Sequence, residues 1–189
     1  MHTIQLILIQ ADSAEDAFSE VASQLYGDTP SWSDWHNASD AHSMNFAGRW
    51  ENDIFITDEQ RKQIEEGTLD RDTIPNHLCY ADDQELADKI IAQFLNWRKE
   101  AMKENLTPTT PTDFEKLIKD YNPATNDLAS PLTMDLWKLR KLLELLGDDW
   151  TYESAIYDLT YYSASLRNFY ERCAKNPEKQ FLIPVDFHH

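Results

Sequence analysis

Two apolar runs near the ends of the chain constrain the fold more than any other feature. Residues 3–10 read TIQLILIQ and residues 180–187 read QFLIPVDF. The first is nearly continuous in Ile and Leu, the pattern of a central strand buried on both faces. Its apolar stretch is far too short to cross a bilayer, which takes about 20 residues. The second run predicts a closing strand. Pro184 within it points to an edge or irregular position, because proline has no N–H to give a ladder.

The segments between these runs fill in an order. Ser13 can cap a helix with Glu15 and Asp16 in its first turn, where the helix dipole favours anions. Ala14, Ala17, Phe18, Val21, Ala22 and Leu25 form its apolar stripe, and Gly27 is a natural stop. Residues 28–43 read as a polar loop in which Trp32 and Trp35 must pack back onto the body. Residues 44–56 read as a strand or hairpin, with Gly48 as a bulge or close-approach point.

Thr57-Asp58-Glu59-Gln60 is a capping box for a short helix ending at Gly67. Asp82-Asp83-Gln84-Glu85 opens a long helix carrying Leu86, Ile90, Phe94, Trp97 and Ala101. The stiff connector 107–111 precedes a second capping box at Thr112–Glu115, and a leucine stripe runs from Leu132 to Leu146. Residues 155–161 fit a strand through Tyr161, although Ile156, Leu159, Ser163, Leu166 and Tyr170 also fit helical spacing. A helix over 163–175 follows, stopped by Asn176-Pro177. The expectation is one α+β domain over 1–189, with a ferredoxin-like β-α-β-β-α-β sheet. A long helical insertion at 57–150 would separate its second and third strands.

Charge narrows the partners. The chain has 189 residues and a net charge of −17, from 34 acids against 17 bases. Residues 1–95 hold 19 acids and 5 bases, a net of −14, while residues 96–189 hold 15 and 12. Such a field repels nucleic acid and anionic lipid and attracts basic protein surfaces. The candidate acidic face is Glu51, Asp53, Asp58, Glu59, Glu65, Glu66, Asp82 and Asp83. Cys79 and Cys173 belong to no metal or redox spacing, and no signal peptide is expected. Reduced thiols in a cytoplasm are expected.

There is no P-loop, G-x-G-x-x-G, G-x-S-x-G, H-E-x-x-H or EF-hand pattern. No cofactor and no metal site are expected. One aromatic and polar constellation stands out: Asp34-Trp35-His36 with Arg49-Trp50. Arg49 is the sole base in residues 1–60, and its planar fork could hold Asp34, another carboxylate or a phosphate. Tyr157, Asp158, Asp186 and His188 complete a candidate pocket. Asp186 and His188 would share one face of the closing strand, where an Asp can orient an imidazole.

The pattern Asp34-Trp35, Gly48-Arg49-Trp50 and Val185-Asp186-Phe187-His188 resembles small uncharacterised proteins of phages, plasmids and bacterial genomes. Those chains carry a D-W…G-R-W segment and a closing V-D-x-H strand. The resemblance covers the two ends of the chain and implies a mobile-element context, with no settled activity. Two function classes follow. The first is a non-enzymatic protein binding a basic protein partner, as a mobile-element inhibitor of a host nucleic-acid-binding system. The second is a small-molecule-binding or enzymatic domain using the aromatic/Arg/Asp/His pocket. Convergence of those side chains on one cavity separates the two.

Overall fold

The run at 3–10 becomes the inner strand of a mixed sheet in the computed structural model. The structure describes residues 2–27, 35–38, 44–51, 53–105, 138–140, 142–143, 146 and 155–188. Strand β1, His2–Gln10, pairs antiparallel with β5, Gln180–His188, along its whole length, from His2↔His188 to Gln10↔Gln180. On the other side of β1 lies the parallel strand β4, Ala155–Asp158, with Gln5↔Ala155 and Leu8↔Asp158 as the ends of the register. Two short strands share the outer edge of β5. β2, Trp35–His36, faces His188 and Phe187, and β3, Leu78–Cys79, faces Leu182 and Phe181.

Alternation along β1 explains why the run is apolar throughout. Ile4, Leu6 and Leu8 pack on one face with Leu182 and Ile156. They meet Ala87, Ile90, Ile91 and Phe94 of helix α3, Gln84–Glu104, and Phe169 and Cys173 of helix α4, Arg167–Cys173. Ile7 and Ile9 point the other way with Tyr157, Ile183, Val185 and Phe187. They meet Ala17, Phe18, Val21 and Leu25 of helix α1, Ala14–Gly27. The sheet is therefore covered on both faces. Each fully buried large apolar side chain contributes about 1.5–3 kcal/mol relative to exposure.

The mixed α+β class is as the sequence suggests, and both terminal runs are strands of one sheet. The residues expected to form a second strand, 44–56, do not. Met44, Gly48 and Phe55 have φ of 45°, 55° and 63°, which breaks any extended run, and Gly48–Trp50 makes a single turn of 3-10 helix. This segment touches β5 through one backbone bond, from Asp186 N to the Phe46 carbonyl at 2.8 Å. A ferredoxin-like sheet carries both helices on one face, whereas α1 and α4 here lie on opposite faces. The segment at 57–150 is also not wholly helical, because β3 ties it into the sheet.

Local signals within that segment work as written. Thr57 and Gln60 exchange both capping-box bonds at the start of α2, Asp58–Glu65, and Asp83 accepts from Leu86 N to cap α3. The connector at 107–111, the second capping box, and Leu132 and Leu136 of the leucine stripe lie outside the described residues, while Leu143 and Leu146 of that stripe are exposed. Residues 155–158 resolve as strand and not helix. The strand stops short of Tyr161 because Asp158 forms a two-way bridge with Ser163 and its carbonyl also accepts from Tyr161 N. Tyr162, with φ of 51°, completes the turn, so α4 starts at Arg167 and not at 163.

Pro184 is inside the sheet yet costs it no bond. Asp186 N and O both point outward, to Phe46 O and Asn37 N, and the Gln180 carbonyl also points outward, to Tyr80 N. By alternation Pro184 presents its nitrogen to the same outer side, in the gap between β2 and β3. The proline therefore sits where the edge is open, which is the local form of the expected edge position.

Candidate functional site

The described members of the sequence-derived constellation do not meet at one point. Asp186 sits under the end of the sheet and is 1% exposed. Its partner is His2 of β1, whose Nδ1 lies 3.0 and 3.2 Å from the two carboxylate oxygens. His2 is directly across from His188, and the two rings meet edge-to-face at 4.9 Å. Asp186 and His188 do share a face, as alternation requires, but the imidazole that the carboxylate orients belongs to His2. The sequence reading missed His2, although the full-length pairing of the terminal strands places it diagonally from Asp186.

The Gly48 turn closes this end. A Cβ on Gly48 would lie 2.2 Å from Asn37 Nδ2 and 2.6 Å from Asp186 Oδ2, so the close approach read from the sequence is real. Arg49, the next residue, is exposed, and Trp50 packs on the α3 side of the core. Asp34 lies outside the described residues, and for Trp35 only the backbone register is described.

His36 belongs to the other face. Its ring lies 5.6 Å from that of Phe187, and its Nδ1 accepts from Ala38 N at 3.2 Å. Burial holds its pKa below the ordinary 6.5 and outweighs a hydrogen bond to the Leu25 backbone, which favours the protonated ring. Protonation would also remove the Nδ1 acceptor from Ala38. The unfolded histidine charges as pH falls through 6.5, while the folded one resists. Stability is therefore complete above pH 6.5 and declines below it toward the folded value, with a limiting slope of about 1.4 kcal/mol per pH unit. Urea midpoints measured between pH 7.5 and 5.5 should fall less steeply in His36→Phe than in the parent. Equal slopes would refute this role.

Tyr157 is buried against α1, on the face opposite Asp158. Asp158 is fully buried and receives Arg172 Nη1 at 2.9 Å and Nη2 at 3.0 Å, a two-pronged ion pair between β4 and α4. Arg172 Nε donates to Gln180 Oε1 at 2.8 Å, and the rings of Tyr161 and Phe169 flank the guanidinium at 5.1 and 5.7 Å. Asp158 is level with Leu8 on β1, and Asp186 is level with Ile4. At roughly 3.3 Å per residue the two acids are about 13 Å apart along the sheet. They form two separate buried clusters on one face.

Nucleophilic and metal chemistry find little support among the described residues. Burial pushes the Cys79 thiol up and raises Cys173 to about 12, so neither is poised as a thiolate. No group of three or more His, Cys, Asp or Glu side chains is arranged to hold a metal ion. No described helix is long and apolar enough to cross a membrane.

Two surface features remain. A cavity of about 310 Å³ opens beyond the C-terminal ends of β1 and β4, between α1 and the turn after β4. The second is the acidic face. Asp53, Asp58, Glu59, Glu65, Glu66, Asp82 and Asp83 are all exposed, as the sequence suggests. Glu51 departs from that group: it is half-buried, and its carboxylate accepts from Asn45 Nδ2 at 2.8 Å. Asp70, Asp72, Glu85 and Asp88 extend the exposed set.

Comparison with known proteins finds no matching family model, no matching curated protein and no matching solved structure. The functional reading therefore rests on the geometry and charge of this chain.

Proposed function

We propose that the protein is a binding module for a basic protein partner, recognised by the exposed acidic surface of α2, the turn after it and the start of α3. The supporting observation is the charge of that surface. Between Asp53 and Asp88 eleven exposed carboxylates face three basic residues. Those three are already engaged. Arg71 is turned into the Glu51 and Ile74 carbonyls and the Asn76 side chain, while Arg61 and Lys62 lie 3.7 and 3.9 Å from Asp53 and Glu66.

A row of carboxylates on a short helix and the adjoining turn presents negative charge to a surface built for phosphates. A protein of this kind can occupy the nucleic-acid-binding face of a host protein, which fits the mobile-element inhibitor reading. The enzymatic alternative gains no support from the divided constellation.

Titration of the full chain with a 20-residue Lys/Arg-rich peptide tests the proposal. Exposed charge pairs are screened over about 10 Å at 0.1 M salt. Affinity should drop at least tenfold between 50 and 250 mM NaCl, on the order of the losses seen when several charge contacts form. It should drop similarly at low salt in the quadruple variant D58N/E59Q/E65Q/E66Q. Absence of binding, or binding indifferent to salt, would remove the reading.

A further inference from the structure

The cavity beside α1 has a composition that selects a ligand. It lies at the C-terminal ends of the parallel strands β1 and β4, the edge where parallel sheets commonly receive ligands. Its floor is apolar, made by Ile9 and Leu159. One wall is the α1 face carrying Asp16, Glu20 and Gln24, four residues apart and so stacked on one side of the helix. The opposite wall is the turn after β4, with Tyr162, a residue 58% exposed. Among the described residues, no lysine, arginine or histidine lines the cavity.

Hydrogen bonds fix the polar wall in a definite order. Tyr162 Oη donates to Gln24 Oε1 at 2.8 Å, and Gln24 Nε2 donates to Glu20 Oε1 at 2.8 Å. Ser13 Oγ donates to Asp16 Oδ2 at 2.7 Å. The Gln24 and Ser13 bonds each occupy one carboxylate oxygen, Glu20 Oε1 and Asp16 Oδ2, and leave the other oxygen of each carboxylate for a ligand. The turn opposite is held as well, because Thr160 Oγ1 accepts from Gln10 N at 2.9 Å. The result is a recess with Ile9 and Leu159 at its base, two carboxylates on one wall and an aromatic ring at its mouth.

We propose that this cavity is a subsite for an alkyl chain ending in a guanidinium or ammonium group. The aliphatic stem would lie on Ile9 and Leu159. The cationic head would meet Asp16 and Glu20 and the face of Tyr162, where aromatic rings attract cations. The volume is near the small end of ligand cavities, which start at about 300 Å³. That fits one side-chain-sized group and not a nucleotide. The inference rests on the basic-partner reading for the source of the cation in a partner protein, but a free alkylamine carries the same chemistry.

The test is an NMR titration of the full chain with agmatine, which carries a guanidinium and an ammonium on an alkyl chain. 1-Pentanol serves as the uncharged control. Saturable agmatine shifts are expected at the amides of Leu159, Tyr162 and Gln24, with none from pentanol. The double variant D16N/E20Q, which keeps size and polarity at two exposed positions, should weaken agmatine at least tenfold. No saturable shifts, equal shifts from pentanol, or shifts unchanged in D16N/E20Q would overturn the subsite.

Two further arms separate this site from the acidic face. The D58N/E59Q/E65Q/E66Q variant should lose peptide affinity and keep agmatine binding. Peptide binding without agmatine binding refutes the subsite and leaves the face reading intact. Agmatine binding without peptide binding does the reverse. Displacement of the Lys/Arg-rich peptide by agmatine would assign the cation to a partner's side chain. Agmatine binding without displacement would assign it to a free amine.

Discussion

Replacing Arg172 with alanine should lower the unfolding free energy by about 3–5 kcal/mol, the range for breaking one side of a buried ion pair. Asp158 is fully buried, and Arg172 satisfies both of its carboxylate oxygens. In Arg172→Ala the carboxylate stays under the sheet with no counter-charge, and Gln180 Oε1 loses its donor. The flanking Tyr161 and Phe169 rings lose the guanidinium between them. Urea unfolding with an unchanged m-value reads the loss directly. A shift under about 1 kcal/mol, the worth of an exposed pair, would show that this contact does not hold β4 to α4.

The same pair separates charge from packing. Arg172→Met with Asp158→Leu removes both charges and keeps comparable volume. Such replacements of buried ion pairs are often neutral or stabilising, so the double variant should lose less than Arg172→Ala alone. Asp158 is also tied to the turn, since its Oδ1 accepts from Thr160 N at 3.2 Å and its backbone bridges Ser163. The double variant should therefore still fall somewhat below the parent.

What the sequence made legible follows from how local each cause is. The central, doubly covered place of β1 could be read because continuous apolarity at 3–10 demands cover on both faces. The starts of α2 and α3 could be read because Thr57, Gln60 and Asp83 act within one turn. The segment 44–56 misled because positive φ at Met44 and Phe55 leaves no mark in residue types that rarely adopt it. Arg172 is hard to read from sequence because an arginine on a short charged helix looks solvated. Its signal was the stripe Phe169–Cys173 on α4, which places residue 172 at the margin of the buried face, opposite an acid on a buried strand. The candidate site was partly legible for a related reason. Alternation places Asp186 and His188 on one face, but which imidazole reaches the carboxylate depends on cross-strand register.

Gly48 to alanine is the second large effect expected, about 2–5 kcal/mol, and it arises from two independent costs. The first is conformational: at φ of 55° the backbone is left-handed, which costs a residue with a Cβ about 1–2 kcal/mol. The second is steric. The new Cβ would stand 2.2 Å from Asn37 Nδ2 and 2.6 Å from Asp186 Oδ2. Asn37 can swing its amide aside, but Asp186 is buried and bound to His2, and its own Cβ is only 3.0 Å away. Overpacking of this kind costs a further 1–3 kcal/mol, roughly. Gly67→Ala supplies the internal control, because Gly67 has φ of 69° with nothing within 4 Å of an added Cβ. It should lose only the backbone share, about 1–2 kcal/mol. The difference between the two variants in urea unfolding isolates the close approach of the Gly48 turn to Asp186. If Gly48→Ala and Gly67→Ala lose the same amount, the contact between that turn and the closing strand contributes nothing. If Gly48→Ala loses the larger amount and also shifts the His2 and His188 ring resonances, the turn is what sets the position of the Asp186 carboxylate against His2.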